Sequence, residues 1–252
     1  MAQSCAQSAK EQRALNVVIP AFNESANIAA CLQSIAPLLA RGAGVLVCDG
    51  GSSDDTAHIA RAHGAQVLVC AKGRARQMNA GAAASHGHLL VFLHADTQLN
   101  AAVVERLWSL AVSESPVWGR FDVRLSGPGA ALRVIEFCMN LRSRITSIAT
   151  GDQVMFCSSD LFRTVNGFAD IELMEDIELS AKLRRLQRPQ CCVERVCTSS
   201  RKWREQGIVR TVLLMWRMRL AYAMGADPSR LAKIYAARPR AQRTEPPRTS
   251  RQ

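Results

Sequence analysis

The chain has no C-x-x-C pair, no glycine-rich phosphate loop and no run long and apolar enough to span a bilayer. Its N-terminus, M-A-Q-S-C-A-Q-S-A-K-E-Q-R, lacks the apolar core of a secretory signal. These absences exclude a metal finger, a P-loop enzyme and a transmembrane helix. The nine cysteines (5, 31, 48, 70, 138, 157, 191, 192 and 197) are odd in number and mostly sit in apolar runs. Reduced core thiols follow, and with them a cytoplasmic chain.

What is present is a chain of 252 residues, 48% apolar. At this length a folded chain buries roughly 70–75% of its unfolded surface, which excludes disorder and a disulfide-stapled miniprotein. Lys and Arg total 32 against 21 Asp and Glu, a formal charge of +11. Most of the excess lies late in the sequence. Residues 201–219 carry Arg201, Lys202, Arg204, Arg210, Arg217 and Arg219 against Glu205 alone. Residues 237–252 read as a disordered basic tail, and residues 1–13 as a disordered N-terminus. The body between them is close to neutral, which argues against a nucleic-acid partner.

From residue 15 to about 125, short β-branched runs alternate with helical periods. Strands are predicted at Leu15–Ile19, Val45–Cys48, Val67–Val69 and Leu89–Leu93, each followed by a helix. The first helix places Ile28, Cys31, Leu32, Ile35 and Leu39 on one face. This alternation predicts an α/β fold, a mostly parallel sheet flanked by helices, with ligands at the carboxyl ends of the strands. The second half is less regular: helices at Ala130–Ile148 and Glu175–Leu186, strands at Gln153–Cys157 and Cys191–Val196, and a long helix at Ile208–Met224. Leu179, Leu183 and Leu186 are expected on one face. No linker separates the halves, so residues 14–236 are read as one domain.

The first strand ends in Pro20-Ala21-Phe22-Asn23-Glu24, with no glycine, so a dinucleotide site fails there. Phe22 beside Glu24 can stack on and hydrogen-bond a base; Asn23 or Ser25 can equally cap the next helix. The second strand ends at Asp49, before Gly50-Gly51-Ser52-Ser53-Asp54, suited to a base or ribose, with Ser53 or Asp54 as a helix cap. The fourth ends in His94-Ala95-Asp96-Thr97, where Asp96 can hold a hard cation that takes its other ligands from phosphate and water.

In this order, P-x-x-N-E, D-G-G-S-x-D-x-T, G-R-A-R-Q-M-N-A-G and H-A-D resemble the family 2 glycosyltransferases of GT-A fold, over roughly Leu15 to Trp203. Met174-Glu175-Asp176 resembles the family's E-D pair, and S-S-R-K-W its late basic-aromatic stretch. More narrowly, L-H-A-D-T and G-R-A-R-Q-M-N-A-G are similar to a bacterial branch, some of whose relatives are named as glucosylating carotenoid acids. The resemblance implies a nucleoside-diphosphate sugar, with a uridine diphosphate sugar favoured. Pro20, Phe22, Asn23, Glu24, Asp49 and Ser52 would line the nucleotide site, with Arg74 and Asn79 near base and diphosphate. Asp96 would bind Mn²⁺ or Mg²⁺, with His94 standing where the family usually has a first Asp. Asp176 would be the general base of an inverting transfer, oriented by Glu175, and the start of a helix should favour its ionised form. Gly151, Asp152 and Gln153 would face the acceptor, and Arg201 and Trp203 the diphosphate or acceptor.

The acceptor is a hydroxyl or carboxyl of open type. A helix with Val209, Val212, Leu213, Trp216 and Leu220 on one stripe and Arg210 and Arg217 beside it can lie on an anionic membrane, or pack as a last core helix. Two rival readings are a nucleotidyltransferase and a non-catalytic sugar-nucleotide-binding protein.

Overall fold

A computed structural model describes residues 14–236. The expected disordered N-terminus and basic tail lie outside the described residues. The chain divides into two compact units, one ending at Ser200 and the other starting at Arg201.

The first unit is an eight-stranded sheet in the order β3-β2-β1-β4-β7-β6-β8-β5. Its first part follows the predicted alternation: β1 (Leu15–Ala21), α1 (Ile28–Ala40), β2 (Gly44–Asp49), α2 (Thr56–Ala62), β3 (Gln66–Val69), α3 (Arg74–Ala83), β4 (Leu89–Phe92), β5 (Thr97–Gln98) and α4 (Ala101–Val112). β1 is paired in parallel with both β2 and β4, and β2 with β3. Successive β1 residues point to opposite faces. Leu15, Val17 and Ile19 join α1 and α4 in one core, while Val18 joins Leu46, Leu90, Phe92 and Met78 in the other. A strand buried on both faces needs a nearly continuous apolar run, and L-N-V-V-I is one apart from the buried Asn16. Chain order reverses between β1 and β4, the kind of sheet position where ligands bind.

The remainder comprises β6 (Trp118–Leu125), α5 (Ala130–Thr146), a 3₁₀ turn (Gly151–Gln153), β7 (Met155–Ser158), α6 (Ser159–Thr164), α7 (Glu175–Leu186) and β8 (Gln190–Thr198). β7 runs antiparallel to β4 and β6, and β6 parallel to β8. On α7, Leu179 and Leu183 are buried, but Leu186 is exposed. It is the last residue of the helix, beyond the contacts that cover the other two.

β6 is the central element that the pattern did not reveal. Arg120 and Asp122 interrupt its apolar residues, yet both are buried. Arg120 pairs with Asp122 and donates from Nε to Ser143 Oγ (2.9 Å) and from Nη2 to the Asn140 carbonyl (3.1 Å). Arg144 binds the other Asp122 oxygen at 2.8 Å. A charge can stay inside only when paired and hydrogen-bonded in this way.

The second unit contains α8 (Arg201–Gln206), α9 (Ile208–Ala223) and α10 (Pro228–Ala236), with α9 touching both of its neighbours. Among the described residues no helix is long and apolar enough to cross a membrane.

Candidate functional site

Loops at the ends of β1 and β2 are stitched together. Pro20 and Ala21 lie in register with Cys48 and Asp49. Asn23, at a positive φ of 54°, donates its N–H to Ser52 Oγ and accepts from Ser53 N, both at 2.9 Å. Glu24 N donates to Thr56 Oγ1 (2.8 Å) and Ser25 N to Asp54 Oδ2 (3.1 Å). Of the groups expected as helix caps, Asn23, Ser25 and Ser53 are spent between loops, whereas Asp54 also accepts from Thr56 N, the first residue of α2, at 3.0 Å. α1 begins instead at Asn27, whose amide donates to Glu24 Oε2 at 2.7 Å, and α2 at Asp55. A contact between loops about thirty residues apart leaves no local sequence signal.

Asp49 is buried, and its carboxylate accepts from Ser52 N (3.1 Å) and Ser52 Oγ. Ser52 thus fixes the orientation of Asp49. Phe22 is partly exposed, with the Lys72 ammonium 3.6 Å from its ring centroid. Lys72 was not singled out from the sequence, and neither was Gln77. The buried Gln77 Nε2 donates to the carbonyls of Ala21 and Cys48, both at 2.7 Å, joining the two strand ends from below.

Below the H-A-D segment, the Gly151 turn brings three predicted residues together. His94 is largely covered, with Nδ1 3.7 Å from Asp152 Oδ1. Gly151 lies flat against the His94 ring: a Cβ there would be 2.3 Å from Cε1 and Nε2. Gly151 N in turn donates to Asp176 Oδ2 at 2.9 Å, and Ile177 N donates to Oδ1 at 2.7 Å. Two donors hold the Asp176 carboxylate at the start of α7. Its pKa is nevertheless raised, to about 6, by burial first and the neighbouring Glu175 carboxylate second. Desolvation outweighs the helix-end effect that the sequence suggested. Glu175, buried, receives Arg74 Nη1 at 3.3 Å.

Other predicted residues are used differently. Asn79 donates to the Phe168 carbonyl (2.8 Å) and accepts from Phe168 N (3.0 Å), so both ends of its amide anchor a loop. Gln153 turns inward: it is fully buried and closes a capping box with Thr150. A buried amide cannot face an acceptor, so that expectation fails for Gln153. Arg201 and Trp203 belong to the second unit, Arg201 exposed and Trp203 half-buried.

Asp96 is half-buried, and Thr97 Oγ1 touches it at only 3.5 Å. No group of three His, Cys, Asp or Glu side chains among the described residues could hold a metal alone. Such a donor set fits a cation shared with a ligand's phosphates, the way Mg²⁺ is usually bound in nucleotide sites.

Residues 16–162 match the model of the glycosyl transferase family 2. An uncharacterized glycosyltransferase of Mycobacterium tuberculosis is 35% identical over 95 residues, 37% of this chain and 42% of the relative. Glucosyl-3-phosphoglycerate synthase of the same organism is 34% identical over 100 residues, 36% of this chain and 31% of the relative. The matched stretch thus spans less than half the length of these curated relatives. Among solved structures, residues 1–349 of TarS from S. aureus superpose with a TM-score of 0.59 at 16% identity, over 75% of this chain and 61% of that one. The M. tuberculosis synthase, solved with Mn²⁺, UDP and glucosyl-3-phosphoglycerate, gives 0.55 at 24% identity, over 76% and 72%. At these identities the superpositions show the GT-A fold.

Proposed function

The chain belongs to glycosyl transferase family 2, a family of sugar-transferring enzymes, and from that premise we propose an inverting transfer from a nucleoside-diphosphate sugar, a uridine diphosphate sugar by preference, to an acceptor hydroxyl or carboxyl. The observation that carries this reading is the shared turn: Gly151 lies against His94 and donates to Asp176. The end of β4, where a diphosphate would sit, and the candidate base are thereby held by one short segment.

Pro20, Phe22, Asn23, Glu24, Asp49 and Ser52 line the nucleotide end. Asp49, oriented by Ser52, accepts from a base or ribose donor, and Phe22 offers its ring to the base once Lys72 swings to the phosphates. Arg74 holds Glu175 and adds positive charge near the leaving group. A Mn²⁺ or Mg²⁺ ion, held by Asp96 with His94 alongside, supplies charge neutralisation of the diphosphate when bound. The synthase solved with Mn²⁺ and UDP supports that choice. At the other end, Asp176 takes the proton of the acceptor hydroxyl; the oxygen–C1 bond forms, the C1–phosphate bond breaks, and the nucleoside diphosphate leaves with the bonding pair. Glu175, fixed by Arg74, keeps the Asp176 side in place. Asp152 is left to meet the acceptor.

Peripheral attachment to an anionic membrane is part of this reading. On α9, Val209, Leu213, Trp216 and Leu220 are exposed along one stripe, continued by Met224 just past the helix, with exposed Arg210 and Arg217 beside it. Val212 is half-buried. A tryptophan-bearing apolar stripe with basic flanks supports an in-plane interfacial helix. A lipid or carotenoid acceptor is consistent with it.

The test is Asp176→Asn, assayed by release of the nucleoside diphosphate and by thermal shift with UDP and Mn²⁺. Turnover should fall about 10²–10⁴-fold, the usual worth of a general base, while the UDP-dependent shift persists. Near-normal turnover would remove Asp176 as the base. Absence of any nucleotide-dependent shift in the unmodified protein would remove the donor.

A further inference from the structure

Helix α3, with Gly73 just before it, holds the segment G-R-A-R-Q-M-N-A-G, and its side chains divide between two destinations. Gln77 and Gly81, four residues apart and so on one face, meet the strands. Gln77 Nε2 donates to the Ala21 and Cys48 carbonyls, and a Cβ on Gly81 would lie 2.4 Å from Val18 Cγ1 and 2.7 Å from Cys48 Sγ. The backbone of α3 therefore rests directly on β1 and β2. Arg74, Arg76 and Asn79 reach instead to the chain between α6 and α7. Arg74 Nη1 meets Glu175 Oε1 at 3.3 Å, and Arg76 Nε donates to Asp170 Oδ1 at 2.7 Å. The Asn79 amide takes both backbone groups of Phe168.

The chain so held, residues 165–174, forms no helix or strand. Gly167, at a φ of 62°, passes so close to α3 that a Cβ there would be 2.7 Å from Asn79 Oδ1. The Phe168 ring is buried against Phe92, with 4.8 Å between centroids, so apolar packing fixes the ring while Asn79 fixes the backbone. After a tight turn (Ile171 N to Ala169 O, 2.8 Å) the segment ends at Met174, buried at a φ of 71°. A residue other than glycine keeps that conformation only where its surroundings fix it. The next two residues are Glu175 and Asp176. Leu179 and Leu183 bury α7 further along its length, but its first turn depends on the chain that enters it.

We propose that Asn79 and Arg76 are positioning residues for the base: acting through the backbone of residues 167–174, they set where Asp176 stands. α3 is then a brace with one side on the strand ends that would receive the donor and the other on the segment that delivers the base. The inference rests on the transferase reading for the role of Asp176, whereas the brace itself does not.

Turnover and amide exchange of the full chain test it. Asn79→Ala should lower kcat about 10–100-fold, the cost of a misplaced catalytic group, with the donor KM within about twofold and the UDP–Mn²⁺ shift in place. In the Asp176→Asn chain the same change should cost less than about twofold, because the group it positions is gone. Equal costs in the two backgrounds mean general damage and overturn the proposal. Arg76→Ala serves beside it, since Arg76 and Asp170 are both exposed and folding should be unaffected. Its kcat should fall about two- to fivefold, as for an exposed ion pair, and return when the charges are exchanged (Arg76→Asp with Asp170→Arg). No recovery on exchange removes Arg76 from the proposal, and normal kcat in both Asn79→Ala and Arg76→Ala overturns it. Hydrogen exchange by NMR reads the same geometry without turnover. In Asn79→Ala the amides of Gly151 and Ile177, which donate to Asp176, should exchange faster while those of β1 and β2 keep their rates. Unchanged exchange at Gly151 and Ile177 overturns the proposal whatever the activity. If no sugar nucleotide gives turnover or a thermal shift with the unmodified protein, the transferase reading falls, and faster exchange at those two amides would still uphold the brace.

Discussion

Around β1, β2 and β4 the sheet is held by Val17, Val18, Ile19, Leu46, Val47, Leu90 and Val91, all buried and all apolar. Around β6, β7 and α5 the corresponding interior contains Arg120, Asp122, Glu136, Asn140, Ser143 and Gln153. In the first region the core is mostly non-directional, with Asn16 and Gln77 its buried polar exceptions, and the loops above it carry most of the polar pairing. In the second, hydrogen bonds and ion pairs fix the position of α5, of the Gly151 turn and through it of Asp176. Apolar packing tolerates some repacking, whereas a buried polar network fails when one member is removed. The donor end should therefore be robust to substitution and the base end brittle.

The largest effect should come from breaking the ion network. Asp122→Ala leaves Arg120 fully buried without its carboxylate and frees Arg144. The expected loss is about 3–5 kcal/mol in a urea or thermal melt. A loss below that of a mid-sized apolar truncation in the other region, such as Val47→Ala, would reverse the comparison. Next comes Gly151→Ala. Its Cβ would sit 2.3 Å from the His94 ring, so either the ring or the turn must shift. Overpacking of this kind costs roughly 1–3 kcal/mol. Because the turn also binds Asp176, kcat should drop while the UDP–Mn²⁺ shift changes little. If the two fall together, His94 rather than the turn has moved.

The same contrast explains what could be read from the sequence. L-N-V-V-I, V-L-V-C and L-L-V-F declare buried strands by composition alone, and the residues just beyond them are where the site lies. W-G-R-F-D-V-R-L does not declare itself, because Arg120 and Asp122 read as surface until the partners on α5 are known. The period of α5 was legible but its orientation was not, since polarity normally points outward. Gln77 lies within G-R-A-R-Q-M-N-A-G, but nothing in the motif says that it turns inward. Gln77 acts through carbonyls 56 and 29 residues away, and only the fold brings them together. For the opposite reason Asn79 and Gln153, inside recognisable segments, turned out to anchor backbone and turn.

The smallest predicted effect is also the most direct reading of the base end. Asp176 ionises at about 6, raised by burial and by Glu175. A base works only when ionised, so kcat/KM should rise with pH and level off above that value, losing about tenfold per unit below it. The sign for stability is opposite. A carboxyl whose folded pKa lies above its unfolded one holds its proton longer when folded, so this group favours folding at low pH. That contribution is lost as pH rises from near 4 through 6. Asp176→Asn, uncharged throughout, should therefore gain stability relative to the unmodified chain over that window while losing turnover. Thermal melts at pH 4, 5, 6 and 7, run beside the rate profile, check both signs at once. If both curves moved in the same direction with pH, the rate would be reporting a group other than Asp176.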